Sequence, residues 1–267
     1  MMTIVEKYNA RVDAVDSLLC VGLDADISRL DDIYLQEANP QFAFNKAIIE
    51  QTHEYVAAYK PNVAFYEAQG TQGQEALQLT MQYLRDVHPS IVTICDAKRA
   101  DIGNTSEAYA RAIFDDLAFD AVTLHPYLGK DALAPFLRRD DKVCIILCRT
   151  SNEGAAEFQD LEVNGGIPLW QKVATRVATD WNVRGNCMLV AGATYPDEIG
   201  IIRSVVGDMT LLVPGIGVQG GNVQQTVTQG MNSQRKGLII NSSRGIIFSE
   251  NPARAAQELR DGINEYR

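Results

Sequence analysis

The sequence has few histidines and cysteines, and neither type is spaced like the ligands of a metal site. Its three histidines form no HxH or HExxH pattern, and its five cysteines form no CxxC pair. This spacing argues against a histidine-rich metal site, and we expect no bound metal. The cysteines lie in apolar runs that are typical of strands, so we expect buried free thiols in a reducing compartment. They are Cys20, Cys95, Cys144, Cys148 and Cys187.

Basic residues are too few for a general nucleic-acid binder. The chain has 24 Lys and Arg against 34 Asp and Glu, a formal net charge of −10. Because affinity for a polyanion depends on clustered Lys and Arg, we expect no nucleic-acid partner. A small anionic ligand needs only a local positive site. The sequence also lacks an 18-residue apolar run and an apolar stretch near its start. We therefore expect no membrane span, no signal peptide and a cytoplasmic location.

Short runs rich in Val, Ile and Leu alternate with longer amphipathic stretches along the chain of 267 residues. The short runs mostly lack polar alternation, which is typical of strands covered on both faces. Strands are predicted at 18–23, 57–62, 91–98, 121–125, 142–148, 187–193, 210–214 and 237–241. Helices are predicted at 42–57, 71–87, 105–117, 130–138, 168–181, 197–206, 222–229 and 252–266. This alternation predicts one (β/α)8 barrel domain over residues 1–267, with an open doubly wound sheet as the alternative.

Two connections between the predicted elements are long. Residues 25–41 follow the first strand, and residues 150–166 follow the fifth. Long loops in compact domains are often lids or binding loops, and the loops after the strands of a barrel form its catalytic face. We therefore expect ligand contacts from these segments.

Charged side chains stand where the second and third predicted strands end. Asp96 and Lys98 are two residues apart, so both point to the same side of the third strand, and Asp101 follows in the next loop. Lys60 ends the neighbouring second strand. At a barrel mouth, these alternating charges would hold one another ionised. The alternative is a structural ion pair that closes the top of the barrel.

The ends of the first, seventh and eighth strands carry groups suited to a nucleotide. Asp24 can accept hydrogen bonds from a ribose hydroxyl. The glycines of 214–221 let backbone N–H groups approach a phosphate, and Arg244 is a forked phosphate donor. The loops that follow the seventh and eighth strands are the usual phosphate site of this fold. The GxGxxG run at 215–220 lies too near the C-terminus for a dinucleotide fingerprint, so a mononucleotide is favoured.

Together these residues resemble the orotidine 5′-monophosphate decarboxylase family. The run DAKRADIGNT at 96–105 resembles that family's DxKxxDI…T signature. The run PGIGVQGG at 214–221 resembles its phosphate loop, and SRG at 243–245 resembles its phosphate arginine. Arg99, the run RTSN at 149–152 and the long segment after the first strand are similar to the bacterial branch with longer chains.

The resemblance assigns a role to each matching residue. It implies a catalytic tetrad of Lys60, Asp96, Lys98 and Asp101. It implies substrate contacts from Asp24 (ribose), Ser151 (pyrimidine edge), and Gln219 and Arg244 (phosphate). It also implies a homodimer in which Asp101 and Thr105 complete the partner's site.

The implied reaction is the decarboxylation of orotidine 5′-monophosphate to UMP, the last step of UMP biosynthesis, without metal or organic cofactor. Lys98 would stabilise a carbanion at C6 and then protonate it. Three other functions are alternatives to this decarboxylation. A Mg²⁺-dependent sugar-phosphate enzyme on a related barrel would have Glu in place of Asp96. A Schiff-base aldolase would use Lys98 or Lys60. A catalytically silent nucleotide-binding barrel would have lost part of the tetrad, and all four residues are present.

Overall fold

Eight parallel strands close into a barrel in the computed structural model, which describes residues 2–163, 165–216 and 222–267. Each strand pairs with its chain neighbours, and the last pairs with the first. The (β/α)8 prediction is confirmed, and the doubly wound alternative is wrong. The strands are β1 (Leu19–Val21), β2 (Ala58–Tyr59), β3 (Val92–Arg99), β4 (Ala121–Leu124), β5 (Val143–Arg149), β6 (Cys187–Ala191), β7 (Leu211–Pro214) and β8 (Leu238–Ser242).

Helices surround this barrel and connect its strands. The α-helices are α1 (Ile4–Val15), α2 (Asp32–Leu35), α3 (Pro40–Thr52), α4 (Ala64–Glu67), α5 (Gly70–Val87), α6 (Gly103–Arg111), α7 (Lys130–Leu137), α8 (Ala156–Gln159), α9 (Leu169–Arg176), α10 (Pro196–Val206), α11 (Val223–Gly230), α12 (Arg244–Ile247) and α13 (Pro252–Asn264). Short 3-10 turns lie at Ile27–Arg29, His53–Tyr55 and Glu153–Ala155, and π turns at Ala112–Asp116 and Val177–Trp181. Within the described ranges, no helix is both long and apolar enough to cross a membrane.

Asparagine caps explain where several helices begin. Asn39, Asn222 and Asn251 each accept a hydrogen bond from the backbone N–H three residues later. Pro40 and Pro252 follow as the first residues of α3 and α13, where no intrahelical donor is needed. Each cap stabilises its helix by about 1 kcal/mol.

The predicted boundaries are wrong around β2. The predicted helix 42–57 is α3, which begins at Pro40 and ends at Thr52 before a 3-10 turn. The predicted strand 57–62 is paired regularly only over Ala58–Tyr59, with an isolated bridge from Asn62 to Asp96. Pro61 has no N–H to donate, so the ladder is interrupted there.

The two ends of the barrel differ. At the end where the strands begin, the Tyr8 hydroxyl of α1 donates to the Leu238 carbonyl, and Lys7 forms an ion pair with Asp120. Helix α1 thus covers this end. All five cysteines are buried free thiols on the strands, as the sequence predicts. The opposite end, where the strands stop, holds the polar residues described next.

Candidate active site

A cavity of about 530 Å³ opens at the carboxyl ends of the strands. Its described lining residues come from every part of the barrel mouth. They include Asp24, Lys60, Asp96, Lys98, Thr123, Ser151, Gly215, Ile216, Ser243 and Arg244. Of the nine site residues that the sequence predicts, the structure brings six to this one cavity.

A chain of ion pairs forms the charged wall of the cavity. Lys60 Nζ lies 2.8 Å from Asp96 Oδ2, and Lys98 Nζ lies 2.6 Å from Asp96 Oδ1. The side chains of Lys60, Asp96 and Lys98 are 5%, 10% and 49% exposed. The outer ammonium, on Lys98, is therefore the one that a ligand can reach.

Burial and pairing act in opposite directions on these groups. Burial alone would raise the pKa of Asp96, but the Lys60 and Lys98 ammonium groups hold that pKa well below its usual range. Burial alone would lower the pKa of Lys60, but Asp96 and Asp24 raise it above its ordinary value. Burial also raises the pKa of the neighbouring Cys95 thiol. Near neutral pH the site therefore holds charged Asp96 and Lys60 beside a neutral thiol.

Lys98 has an unusual backbone, with φ of 47° in the left-handed region. The pairing of β3 with β4 shifts between Cys95 and Arg99, so this part of β3 bulges. A positive φ on a residue other than glycine costs about 1–3 kcal/mol, and such residues cluster at functional sites. The pattern of residue types predicted the strand but carried no signal for this bulge.

Asp24 follows β1, the barrel neighbour of β8, and it lines the cavity together with Ser243 and Arg244 of the loop after β8. Among the described residues, its Oδ1 atom is buried and accepts no hydrogen bond. The chain passes close to the β8 loop here, since the Ser243 hydroxyl donates to the Gly22 carbonyl at 3.0 Å. Because Asp24 lines the cavity, its carboxylate is the acceptor group at this position of the wall.

The positive side of the cavity lies after β7 and β8. Gly215 has φ of 100°, a conformation that glycine adopts readily, and it lines the cavity with Ile216. Arg244 lies exposed at the start of α12 and lines the same space. Gln219 lies outside the described residues, as do its neighbours in 217–221.

The loop after β5 brings Ser151 to the cavity and contains a small antiparallel hairpin, Glu162–Val163 with Ile167–Pro168, that was not predicted. The buried Arg149 anchors this loop. Its Nε donates to Glu198 Oε2 at 2.5 Å, its Nη1 lies 3.2 Å from Asp160 Oδ1, and its guanidinium lies 3.9 Å from the Tyr195 ring centroid. Sequence reasoning missed this network because its members are far apart in the chain.

Thr123 was also missed. It lies buried near the end of β4, and its hydroxyl contacts both Asp96 and the backbone of Lys98. The available signal was a polar residue inside the apolar run AVTL, on the strand next to the DxK motif.

Asp101 and Thr105 are not among the described residues that line this cavity. Asp101 Oδ1 accepts a hydrogen bond from the Ile102 N–H, and Thr105 lies exposed in the first turn of α6. Ile102, the residue after Asp101, is 64% exposed, and Tyr127 in the loop after β4 is 87% exposed. Within one chain, these two residues therefore do not join the six predicted site residues that line the cavity.

Among residues 2–163, 165–216 and 222–267, no three His, Cys, Asp or Glu side chains are grouped so that they could hold one metal ion.

Comparison with known proteins gives concordant results. Residues 17–259 match the model of the orotidine 5′-phosphate decarboxylase / HUMPS family. The chain is 46% identical to an orotidine 5′-phosphate decarboxylase of Cellvibrio japonicus over 261 residues, which cover 97% of this chain and 94% of that protein. It is similar to the structure of Leishmania donovani OMP decarboxylase, with a TM-score of 0.89, 40% identity and 99% coverage of both chains.

A second solved structure extends the comparison. The chain is 41% identical to Leishmania donovani UMP synthase, with a TM-score of 0.91, and it covers 57% of that longer chain. All of this chain is covered.

Proposed function

The chain belongs to the orotidine 5′-phosphate decarboxylase / HUMPS family and is a carboxy-lyase, and we propose that it converts orotidine 5′-monophosphate to UMP and CO₂. This is the last step of UMP biosynthesis. One barrel domain, residues 1–267, carries the reaction, and the five buried thiols suit a reducing cytoplasm. The observation that carries the proposal is the Lys60–Asp96–Lys98 chain of ion pairs in the mouth cavity.

The nucleotide spans the cavity in the proposed complex. Its phosphate binds Arg244, the backbone near Gly215 and Gln219. Its ribose donates hydrogen bonds to the carboxylate of Asp24, which lines the cavity. Ser151 reads the edge of the pyrimidine. These contacts place the ring, and with it C6, beside the Lys98 ammonium.

Lys98 then performs the chemistry. The bond between C6 and the carboxylate carbon breaks, CO₂ leaves, and the electron pair stays on C6 in the plane of the ring. The adjacent ammonium stabilises this charge and donates its proton to C6, which gives UMP. Lys98 regains a proton from water, because its side chain is half exposed. No metal or organic cofactor is needed for this sequence of steps.

Repulsion between Asp96 and the substrate carboxylate contributes a smaller share. Two unit charges about 4 Å apart interact by roughly 4 kcal/mol at an effective dielectric of about 20. Even complete relief of that repulsion gives only about a thousandfold in rate. Stabilisation of the C6 carbanion by Lys98 therefore contributes most of the acceleration of the decarboxylation in this proposal.

A second copy of the chain completes the site in this proposal. The exposed apolar side chains of Ile102 and Tyr127, in the loops after β3 and β4, would be buried in an isologous dimer. Asp101 and Thr105 then reach the partner's cavity. There Asp101 joins the partner's Lys60–Asp96–Lys98 chain of ion pairs as its fourth charged group.

The test is the fall in absorbance when orotidine 5′-monophosphate is added to protein treated with EDTA. We expect turnover in EDTA, and loss of turnover in Lys98→Ala while the circular dichroism spectrum is retained. Near-normal activity of Lys98→Ala would contradict the proposed function. Activity that requires Mg²⁺, or borohydride trapping of a sugar phosphate on a lysine, would favour the rival enzymes.

A further inference from the structure

We propose that Thr123 is a positioning residue for the decarboxylation, holding Lys98 and Asp96 in their reactive arrangement. This inference rests on the proposed function. In the pairing of β3 with β4, Cys95 lies opposite Val122 and Arg99 lies opposite Leu124. Residues 96–98 of β3 therefore face Thr123 alone on β4. The bulge that carries both reactive groups is built directly over this threonine.

The Thr123 hydroxyl replaces the ladder hydrogen bonds that the bulge removes. Its Oγ1 accepts the Lys98 backbone N–H at 2.9 Å. The same oxygen donates to Asp96 Oδ1 at 2.9 Å, with the Cys95 carbonyl a more distant acceptor at 3.5 Å. One buried hydroxyl thus joins the left-handed backbone of Lys98 to the carboxylate that pairs with its ammonium.

These bonds assign Thr123 an indirect role. A hydroxyl has one proton to donate, and in Thr123 it points to the protein. Although Thr123 lines the cavity, its hydroxyl is committed to Asp96 and Lys98 and has no proton left for a substrate. Its effect on the reaction must therefore pass through the positions of those two residues.

Loss of the hydroxyl has a defined consequence. Lys98 would lose the acceptor that holds its strained backbone, and the Lys98 ammonium would be the remaining donor to Asp96 Oδ1 among the described residues. The ammonium would then be drawn onto Asp96 and away from C6. Among the described residues, the Thr123 hydroxyl forms its hydrogen bonds with residues 95–98 of β3 and not with Arg244 or Asp24, so the groups proposed to bind phosphate and ribose should be unaffected.

The experiment compares Thr123→Val, which keeps the shape and removes the hydroxyl, with Thr123→Ser, which keeps the hydroxyl. We expect kcat to fall by about tenfold or more in Thr123→Val, since hydrogen bonds to charged groups contribute about 1.5–3 kcal/mol, while KM stays within about twofold. Thr123→Ser should recover most of kcat. If Thr123→Val folds poorly, Thr123→Ala replaces it in the same measurement, because it also lacks the hydroxyl and adds no bulk.

The matched control is Thr93→Val. Thr93 is buried on the adjacent strand β3, and its hydroxyl bonds with Asp120 at the opposite end of the barrel. This variant should lose stability without losing kcat. Equal loss of kcat in both valine variants would overturn the proposal, because it would indicate a general structural effect.

Hydrogen exchange of the Lys98 amide separates this inference from the proposed function. We expect exchange to be slow in the wild type and in Thr123→Ser, and faster in Thr123→Val. If the wild type fails to decarboxylate the nucleotide while the exchange pattern holds, the proposed function is wrong and the positioning contact stands. If the wild type is active and Thr123→Val retains kcat, the positioning role is wrong.

Discussion

Among single residues, Asp96 has the greatest influence on the energetics of the site. It is the counter-charge of Lys60, whose side chain is 5% exposed. A buried charge is tolerated when it is paired, and removal of its partner is strongly destabilising. The charged atoms proposed to act in catalysis therefore also keep Lys60 paired, so the structural ion pair considered from the sequence is one aspect of the proposed site.

We predict that Asp96→Asn lowers the free energy of unfolding by about 3 kcal/mol or more at pH 7, because Lys60 loses its counter-charge. The pKa of Asp96 in the folded protein lies below the value of about 3.9 expected when unfolded. Its contribution is therefore complete above about pH 4 and is lost as the pH falls. Urea unfolding from pH 7 down to pH 3 measures this.

The difference between wild type and Asp96→Asn should accordingly shrink below about pH 4. Asp13→Asn is the control, because Asp13 forms an exposed pair with Lys236 and should change stability little. A difference that stays constant down to pH 3 would contradict the assigned cause.

Arg244 is the residue on which phosphate recognition is predicted to depend. We expect Arg244→Ala to lower kcat/KM for the nucleotide by about a hundredfold, since a charge-assisted forked contact is lost. Added phosphite should accelerate the wild type on the phosphate-free nucleoside, and Arg244→Ala should lose that response. Steady-state kinetics measure both effects.

Arg254→Ala is a suitable control for this series. Arg254 lies on α13, pairs with Glu258 and is not among the described residues that line the cavity. An unchanged nucleoside rate in the presence of phosphite would argue against the use of phosphate binding energy in catalysis.

At the level of elements, the apolar runs predicted all eight strands because both faces of a barrel strand are buried. The predicted boundaries of elements are wrong where proline or a helix cap, and not the run of apolar residues, decides where an element begins or ends. Pro61 interrupts the β2 ladder, and α3 begins at Pro40 after the Asn39 cap, two residues before the apolar pattern. The hairpin after β5 went unpredicted because its strands are only two residues long.

The loops after β5 and β6 are in close contact, and we predict that Gly192→Ala disturbs substrate binding. A Cβ at Gly192 would lie 2.9 Å from both the N and Cα atoms of Ser151. The β5 loop must then move, so KM should rise by about tenfold while the barrel remains folded. Kinetics and thermal unfolding measure the two effects.

Gly154→Ala is the matched control within the same loop. Its added Cβ would have its nearest described neighbour at 3.5 Å, an ordinary contact distance. This variant should retain the wild-type KM. A normal KM in Gly192→Ala would show that the close approach to Ser151 has no part in recognition.

For the whole molecule, the proposed sharing of sites between two copies makes a quantitative prediction. Lys98→Ala and Asp101→Ala should each be nearly inactive alone. If Asp101 serves the partner, a mixed dimer has one intact site and one site lacking both groups. After subunit exchange at equal amounts, activity should therefore return to about a quarter of wild type.

Analytical ultracentrifugation of the same mixture reports whether dimers form. The control is a mixture of Lys98→Ala with Asp96→Ala, which both act in their own barrel and should not complement. Full activity of Asp101→Ala by itself, or a monomeric active protein, would contradict the shared site.

The barrel and most of the charged groups at its mouth are readable in the amino-acid sequence because they depend on local order. Burial appears as runs of apolar residues, and the spacing of Asp96 and Lys98 places them on one side of a strand. The bulge of β3, the Thr123 hydroxyl beneath it and the Arg149 anchor were decided by tertiary structure. They join residues that are 25 and 49 positions apart, and no local pattern records such contacts.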